Sequence, residues 1–244
     1  MSLWQKIADF LGSFSDGTGL AGGLASIFDP DNWLPGGRDA AFTMSIVALS
    51  AKMAVADGVV SRREVITFHR LVDIPEGADK HLDRFFALAQ QDVAGFDTYA
   101  RKVRKLFADS PATLEHVLDA LFEISTADGL VHEEELAYLA AVSDIFGFDT
   151  VRFEQIAAQH VLLPSGHRDP YAVLGLAPDA TDEEVRRTYR RLVSEHHPDR
   201  MVAKGVPEEL MGLASAKMAS INTAYREVTQ ARGTRPVLLA SPAT

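Results

Sequence analysis

The sequence predicts an all-α protein: a helical bundle with a two-fold internal repeat, followed by a helical hairpin. Apolar residues recur every three or four positions through most of residues 38–162, which is the spacing of buried helix faces. No convincing run of alternating β-branched residues, which would favour a strand, occurs in the chain. Two segments offset by 71 residues match each other, as expected of two similar helical hairpins.

Composition excludes several classes of function. The chain has 244 residues, no cysteine and a formal net charge of -10. The lack of cysteine excludes disulfide scaffolds, thiolate zinc sites, iron–sulfur clusters and thiol nucleophiles. The acidic balance argues against nucleic-acid binding, which needs a basic patch. Residues 1–167 carry 13 basic and 24 acidic side chains, but residues 168–244 carry 11 and 10, which favours two domains with different partners.

Residues 1–37 predict a short amphipathic helix and a glycine-rich linker. The apolar side chains of that helix follow helical spacing: Leu3, Ile7, Phe10, Leu11 and Phe14. An acid at position 9 comes too early for an export signal, and the charge-free runs, none longer than 13 residues, are too short to span a bilayer. We expect a cytoplasmic protein whose first helix packs on the bundle, forms a homodimer, or touches a membrane only peripherally.

Residues 38–162 predict the bundle itself. Pro111, a favoured first residue of a helix, precedes a face with the spacing of a buried helix: Leu114, Val117, Leu118, Leu121 and Phe122. A similar block of apolar side chains comes earlier: Tyr99, Val103, Leu106 and Phe107. Both blocks are expected in the core.

The internal repeat pairs Ala56–Val65 with Ala127–Leu136. Each copy contains Asp-Gly, a turn signal. In the first copy Ser61 precedes Glu64 as in a capping box, which His132 weakens in the second. The four acids of the two copies also offer the oxygen ligands that calcium or magnesium prefers: Asp57, Glu64, Asp128 and Glu135. Helix capping and a divalent-cation site both remain open from the residues alone.

This repeat within an all-helical domain resembles the TerB family, named for tellurite resistance. The resemblance covers roughly residues 39–160. It implies a helical fold whose acidic cluster holds a metal ion, matched here by the four acids of the repeat, with no other cofactor. The alternative function it implies is a metal-responsive adaptor or stress-response protein.

Residues 163–168 predict a short linker, after which residues 169–232 carry the most specific motif of the chain. Thr181 and Glu184 form a capping box at the start of a helix predicted over Asp182–His196. Arginines four residues apart repel each other on this helix. A row of like charges that is present despite this destabilisation is suited to binding an acidic partner. The same four side chains could instead form a solvated face: Arg186, Arg187, Arg190 and Arg191.

Pro198 is expected to end that helix, because proline lacks an amide hydrogen and disfavours a helical residue before it. His197, Pro198 and Asp199 then form an exposed turn, which we call the trigger turn. We expect a loop over residues 200–207. A second long helix is predicted over Pro207–Thr229. Its apolar face packs on Val185, Tyr189 and Leu192 of the first helix and leaves the trigger turn at the hairpin tip. The residues of that face follow helical spacing: Leu210, Ala214, Met218, Ile221, Tyr225 and Val228.

Four segments in this order and spacing resemble a J domain: Asp169–Leu176, Tyr189–Leu192, His197–Asp199 and Ile221–Tyr225. Together with the preceding domain, they resemble the DjlA/DjiA type of DnaJ-like co-chaperone. The resemblance implies that the four arginines dock on a DnaK-type chaperone and that the trigger turn stimulates its ATP hydrolysis. It implies no catalysis by this chain.

The chain departs from that family in one respect. DjlA proteins carry an N-terminal membrane helix, and this sequence shows none. Residues 233–244 predict a disordered tail. The acidic bundle and the arginine helix could also contact each other within the chain.

Overall fold

The structure, a computed structural model, describes residues 37–57, 62–72, 86–87, 90, 95–127, 129, 131–161, 167–203 and 211–233. The regular structure of these residues is helical throughout, which confirms the all-α prediction. The helices are α1 (Gly37–Asp57), α2 (Arg62–Val72), α3 (Phe96–Leu106), α4 (Pro111–Ser125), α5 (Glu133–Phe146), α6 (Thr150–Ala157), α7 (Pro170–Leu174), α8 (Asp182–Glu195), α9 (Pro198–Ala203) and α10 (Met211–Ala231).

Some predicted features lie outside the described residues. These are the N-terminal helix with its glycine-rich linker, most of the second linker and most of the C-terminal tail. The first capping residue of the repeat, Ser61, lies outside them as well.

Helices α1 and α4 form the centre of the N-terminal bundle, the unit built from α1–α6. Both are buried on all sides: every residue from Ala41 to Met53 and from Thr113 to Phe122 is buried, including the charged Glu115 and Asp119 of α4. Pro111 is the first residue of α4, as predicted. The Tyr138 hydroxyl on α5 donates a hydrogen bond of 2.8 Å to the Leu49 carbonyl and so ties α5 to α1.

The two copies of the repeat form two similar helix pairs. In each pair a long buried helix, α1 or α4, is followed along the chain by a shorter helix, α2 or α5. Gly129 of the second Asp-Gly has a φ of 98°, a left-handed conformation that glycine adopts without steric strain. The turn predicted at this position is therefore present.

Helices α7–α10 form the C-terminal hairpin, in which α8 packs on α10 as predicted. Its core holds the expected side chains of both helices: Val185, Tyr189, Leu192, Met218, Ile221, Tyr225 and Val228. The rings of Tyr189 and Tyr225 stack with centroids 4.0 Å apart, and the Tyr189 hydroxyl lies 2.9 Å from the Asn222 side-chain oxygen, to which it donates. Ala214, expected on the same face, packs elsewhere.

Pro198 begins a helix as well as ending one. The loop expected over residues 200–207 is wrong in its first part, because Pro198–Ala203 form the short helix α9. Proline suits a first helical position, where no amide hydrogen is needed. The Arg200 guanidinium stabilises the turn by donating a hydrogen bond of 2.8 Å to the Ser194 carbonyl at the end of α8. Residues 204–210 lie outside the described part.

The tip of the C-terminal hairpin packs into the N-terminal bundle. Three of its apolar side chains belong to the core cluster of the bundle: Met201, Leu213 and Ala214. Helix α10 contacts α4, and α7 contacts α6. The two units therefore share apolar packing beside the trigger turn.

Candidate partner-docking site and the interdomain cluster

The trigger turn joins the end of α8 to the start of α9. The Asp199 side chain is 87% exposed and that of His197 is 31% exposed. The His197 Nδ1 lies 3.3 Å from the Asp199 backbone nitrogen, from which it accepts a hydrogen bond. The Asp199 carboxylate is thus free of the bundle and can accept a charge-assisted hydrogen bond from a partner's arginine.

Helix α8 begins with the predicted capping box. The Thr181 hydroxyl accepts from the Glu184 backbone nitrogen at 3.3 Å, and the Glu184 carboxylate accepts from the Thr181 backbone nitrogen at 2.7 Å. The second of these bonds, to a backbone N–H, lowers the pKa of Glu184. The box fixes the start of the helix that carries the arginines.

The arginine stripe, defined as Arg186, Arg187, Arg190 and Arg191, is exposed along its whole length. Arg191 pairs with Glu195 one turn further on, at 2.9 Å. The other three form no ion pair with any residue that the structure describes. The contact suggested between these arginines and the acidic bundle is therefore not found among the described side chains.

The four acids of the repeat are only partly described. Glu135 is buried, and its carboxylate accepts from the His132 backbone nitrogen at 2.9 Å, which caps α5. Glu64 is buried in the first turn of α2. The Asp57 side chain and all of Asp128 lie outside the described residues. No group of three or more acids or histidines within the described residues could hold a metal ion, so the cation interpretation gains no support.

A buried cluster of charged and histidine side chains lies between the two units. We call it the interdomain cluster. Ion pairs and histidine–carboxylate contacts connect its members from the bundle and the hairpin: Glu115, His116, Asp119, Arg152, His160, His196 and Lys217.

Lys217 of α10 is at the centre of this cluster and is 5% exposed. Its Nζ lies 2.7 Å from the Glu115 Oε1 and 2.8 Å from the Asp119 Oδ2, both on α4. Burial alone would lower the pKa of Lys217, but the two carboxylates outweigh burial and raise it. The ammonium is therefore charged in the interface.

The two acids of the cluster are charged as well. Burial would raise the pKa of Glu115, but the charges around it, first that of Lys217, bring it to about 2. Burial would also raise the pKa of Asp119, but Lys217 together with His160 and His116 lowers it well below its ordinary value. Arg152 donates a bond to Glu115 and His160 lies 3.0 Å from Asp119, so each carboxylate has a second partner from its own bundle.

His196 connects the cluster to the trigger turn. It is fully buried directly before His197, with its Nε2 3.6 Å from the Glu115 Oε1 and its ring edge-on to His116 at 5.4 Å. Burial lowers its pKa to about 3, so the ring is neutral at pH 7.

This cluster was not predicted from the sequence. A detectable signal is present in α4, where Glu115 and Asp119 are spaced four apart in an otherwise apolar stretch. Acids on one face of a buried helix need a partner, because unpaired buried charge is costly. That spacing predicts a cation from elsewhere in the chain but does not identify Lys217.

Comparisons with known proteins agree with this two-part architecture. The family model described as tellurite resistance protein TerB matches residues 43–158, and the DnaJ domain model matches residues 169–232. The co-chaperone protein DjlA of Coxiella burnetii is 30% identical over 198 residues, which are 74% of this chain and 73% of that protein. This chain belongs to the DjlA family of co-chaperones.

Other members of the DjlA family match over a similar length. The co-chaperone protein DjlA of Photobacterium profundum is 28% identical over 220 residues, 80% of this chain and 79% of that protein. The protein of the same name from Shewanella oneidensis is 26% identical over 211 residues, 81% and 80% of the two chains. No solved structure matches the chain.

This DjlA-family chain is thus a J-domain co-chaperone with a TerB domain in front of its DnaJ domain. Among the residues that the structure describes, no helix is both long and apolar enough to cross a membrane.

Proposed function

We propose that this co-chaperone docks on a cytoplasmic DnaK-type chaperone and stimulates its ATP hydrolysis through His197, Pro198 and Asp199. The chain performs no catalysis of its own in this proposal, because the ATPase belongs to the partner. The observation that carries the proposal is the exposed trigger turn at the hairpin tip, with Asp199 open to a partner.

The arginine stripe supplies the docking surface. Three of its four arginines have no ion pair among the described residues, so their charge is available to attract an acidic face of the chaperone. The capping box holds α8 in place, and α8 leads directly into the trigger turn. Docking through the stripe therefore brings the turn to the same partner.

The test is steady-state ATP hydrolysis by the DnaK-type chaperone with the full chain and with His197→Gln. We expect the wild type to stimulate and the variant to lose at least about ten-fold of that stimulation, since a hydrogen bond to a charged group contributes about 1.5–3 kcal/mol. His167→Gln is the matched control, because His167 is exposed and precedes the hairpin. It should behave as the wild type.

Two results would contradict the proposal. One is a wild-type chain that leaves the ATPase rate unchanged over the whole concentration range. The other is His197→Gln with the activity of His167→Gln, which would show that the trigger turn has no part in the stimulation.

A further inference from the structure

Among the described residues, the buried ammonium of Lys217 pairs with side chains of the N-terminal bundle and with none of the C-terminal hairpin. Both carboxylates that hold its ammonium, Glu115 and Asp119, belong to the N-terminal bundle. In a hairpin without the bundle the same side chain would lie in water. Taking an ammonium out of water is costly unless ion pairs compensate, so the arrangement acts between the two units.

The residues that flank the trigger turn on both sides are buried against the N-terminal bundle. His196, directly before the turn, is fully buried against Glu115. Met201, two residues after the turn, is fully buried in the core of the bundle. The three trigger residues are thus bracketed by two anchored residues, while Asp199 itself faces solvent.

Apolar packing acts in the same direction. Leu213 and Ala214 at the start of α10 lie in the core cluster of the bundle. Lys217 follows them one turn later on the same helix. The end of the hairpin nearest the trigger turn is therefore held by the bundle.

We propose that Lys217 is a positioning residue that fixes the trigger turn on the N-terminal bundle, through Glu115 and Asp119. The bundle then sets the orientation in which the turn meets its partner, while the partner-facing side stays open. This inference rests on the proposed function, because it concerns the presentation of the turn to a DnaK-type chaperone.

The first test measures the position of the hairpin in the full chain. The chain has no cysteine, so Glu134→Cys on α5 and Gln230→Cys on α10, both exposed, accept a fluorophore pair selectively. We expect a narrow distribution of transfer efficiencies, which Lys217→Met broadens. Arg226→Met, which removes an exposed cation from the same helix, is the control and should leave the distribution narrow.

The second test measures stimulation of the chaperone ATPase by the unlabelled proteins. We expect Lys217→Met to raise the concentration for half-maximal stimulation at least about five-fold, the lower end of typical coupling between sites. The maximal rate should be retained because the trigger residues are intact. Loss of folded protein alone would instead lower the helical signal in circular dichroism, which is recorded for each variant.

A second variant covers the case in which Lys217→Met fails to fold. Lys217→Met combined with Glu115→Gln and Asp119→Asn leaves no buried carboxylate without its cation, and removing a buried charge group as a whole is often tolerated. It should show the same broadening and the same shift in half-maximal concentration.

The outcomes separate this inference from the proposed function. An unchanged transfer distribution in both variants overturns the inference, and so does a broadened distribution with an unchanged ATPase curve. His197→Gln, measured alongside, reports on the trigger turn itself. A wild type without stimulation overturns the proposed function, which the transfer measurement does not depend on.

Discussion

At the scale of single residues, two neighbouring histidines have opposite environments. His197 is partly exposed at the hairpin tip, whereas His196 is fully buried beside Glu115, Arg152 and Lys217. Burial keeps His196 neutral, so its side chain packs in the interface without adding a charge to it. We therefore expect this residue to make the interface sensitive to acid.

Because of His196, the free energy of unfolding should decrease as the pH is lowered within a defined range. Its pKa is about 3 in the folded chain, against an ordinary 6.5, so below pH 6.5 the unfolded chain binds a proton that the folded chain excludes. The contribution of His196 to the free energy of unfolding is therefore complete above pH 6.5. It decreases as the pH falls, by up to about 1.4 kcal/mol per pH unit. Urea unfolding from pH 7.5 to 5 should show a steeper loss for the wild type than for His196→Gln.

The comparison isolates His196 from its neighbours. His116 and His160, which both face Asp119, are present in both proteins and cancel in the difference. Glu115 and Asp119 have lowered pKa values, so they weaken the fold only at lower pH, below their ordinary 4.5 and 3.8. Equal slopes for the two proteins above pH 5 would contradict the assignment.

At the scale of elements, α8 carries arginines of two kinds. Arg191 is paired with Glu195 within the helix, whereas Arg187 and Arg190 have no ion pair among the described residues. Charge that is already paired contributes less to attracting a partner. The four arginines of one stripe should therefore differ in their effect on docking.

The double change Arg187→Gln and Arg190→Gln should raise the concentration for half-maximal ATPase stimulation about five-fold at low ionic strength. The difference from the wild type should shrink in high salt, because screening removes the same attraction. Arg191→Gln, the control on the same helix, should change it at most about two-fold. A salt-independent difference, or an equal effect of all three changes, would argue against electrostatic docking.

The positions of the helices were predicted from the sequence more accurately than the surfaces on which they pack. Helical spacing predicted α4, α8 and α10, because each has a continuous apolar face. It missed α9, since Pro198 was interpreted only as a helix stop, although proline also suits the first position of a helix. Spacing reports which side of a helix is buried and not what covers it, so Ala214 was expected on α8 although it packs into the bundle.

The candidate site was predictable to a similar degree. The trigger turn and the arginine stripe are local motifs, and local sequence shows them. The interdomain cluster joins residues about a hundred positions apart, such as Asp119 and Lys217, and no local pattern connects them. For the acids of the repeat, the local interpretation holds. Glu135 could either cap its own helix or join a cation site with distant acids, and in the structure it caps its helix.

At the scale of the whole molecule, the two units meet at a second place besides the interdomain cluster. Gly175 ends α7 with a φ of 66°, and a Cβ there would lie 2.6 Å from the Gln155 side-chain carbon on α6. The Gln155 amide donates a bond of 3.2 Å to the Val173 carbonyl. Glycine therefore permits close approach of the hairpin to the bundle.

Gly175→Ala should lower the free energy of unfolding by about 2 kcal/mol. About half reflects the left-handed backbone, and about half the hydrogen bond that Gln155 must give up. Gly233→Ala is the control, because Gly233 has a φ of 65° with no atom within 4 Å of an added Cβ, and it should cost at most about 1 kcal/mol. Equal losses in urea unfolding would show that the contact with Gln155 is not tight.

The buried ammonium of Lys217 also restricts the order in which this sequence can evolve. Losing the lysine first leaves two buried carboxylates without the ammonium that they share, at a cost of about 3–5 kcal/mol. That cost is a large part of the 5–15 kcal/mol that typically separates a folded protein from its unfolded state. Neutralising an acid beforehand reduces that cost. Descendants that have lost Lys217 should therefore have replaced Glu115 or Asp119 earlier, so substitutions in the two domains are historically linked.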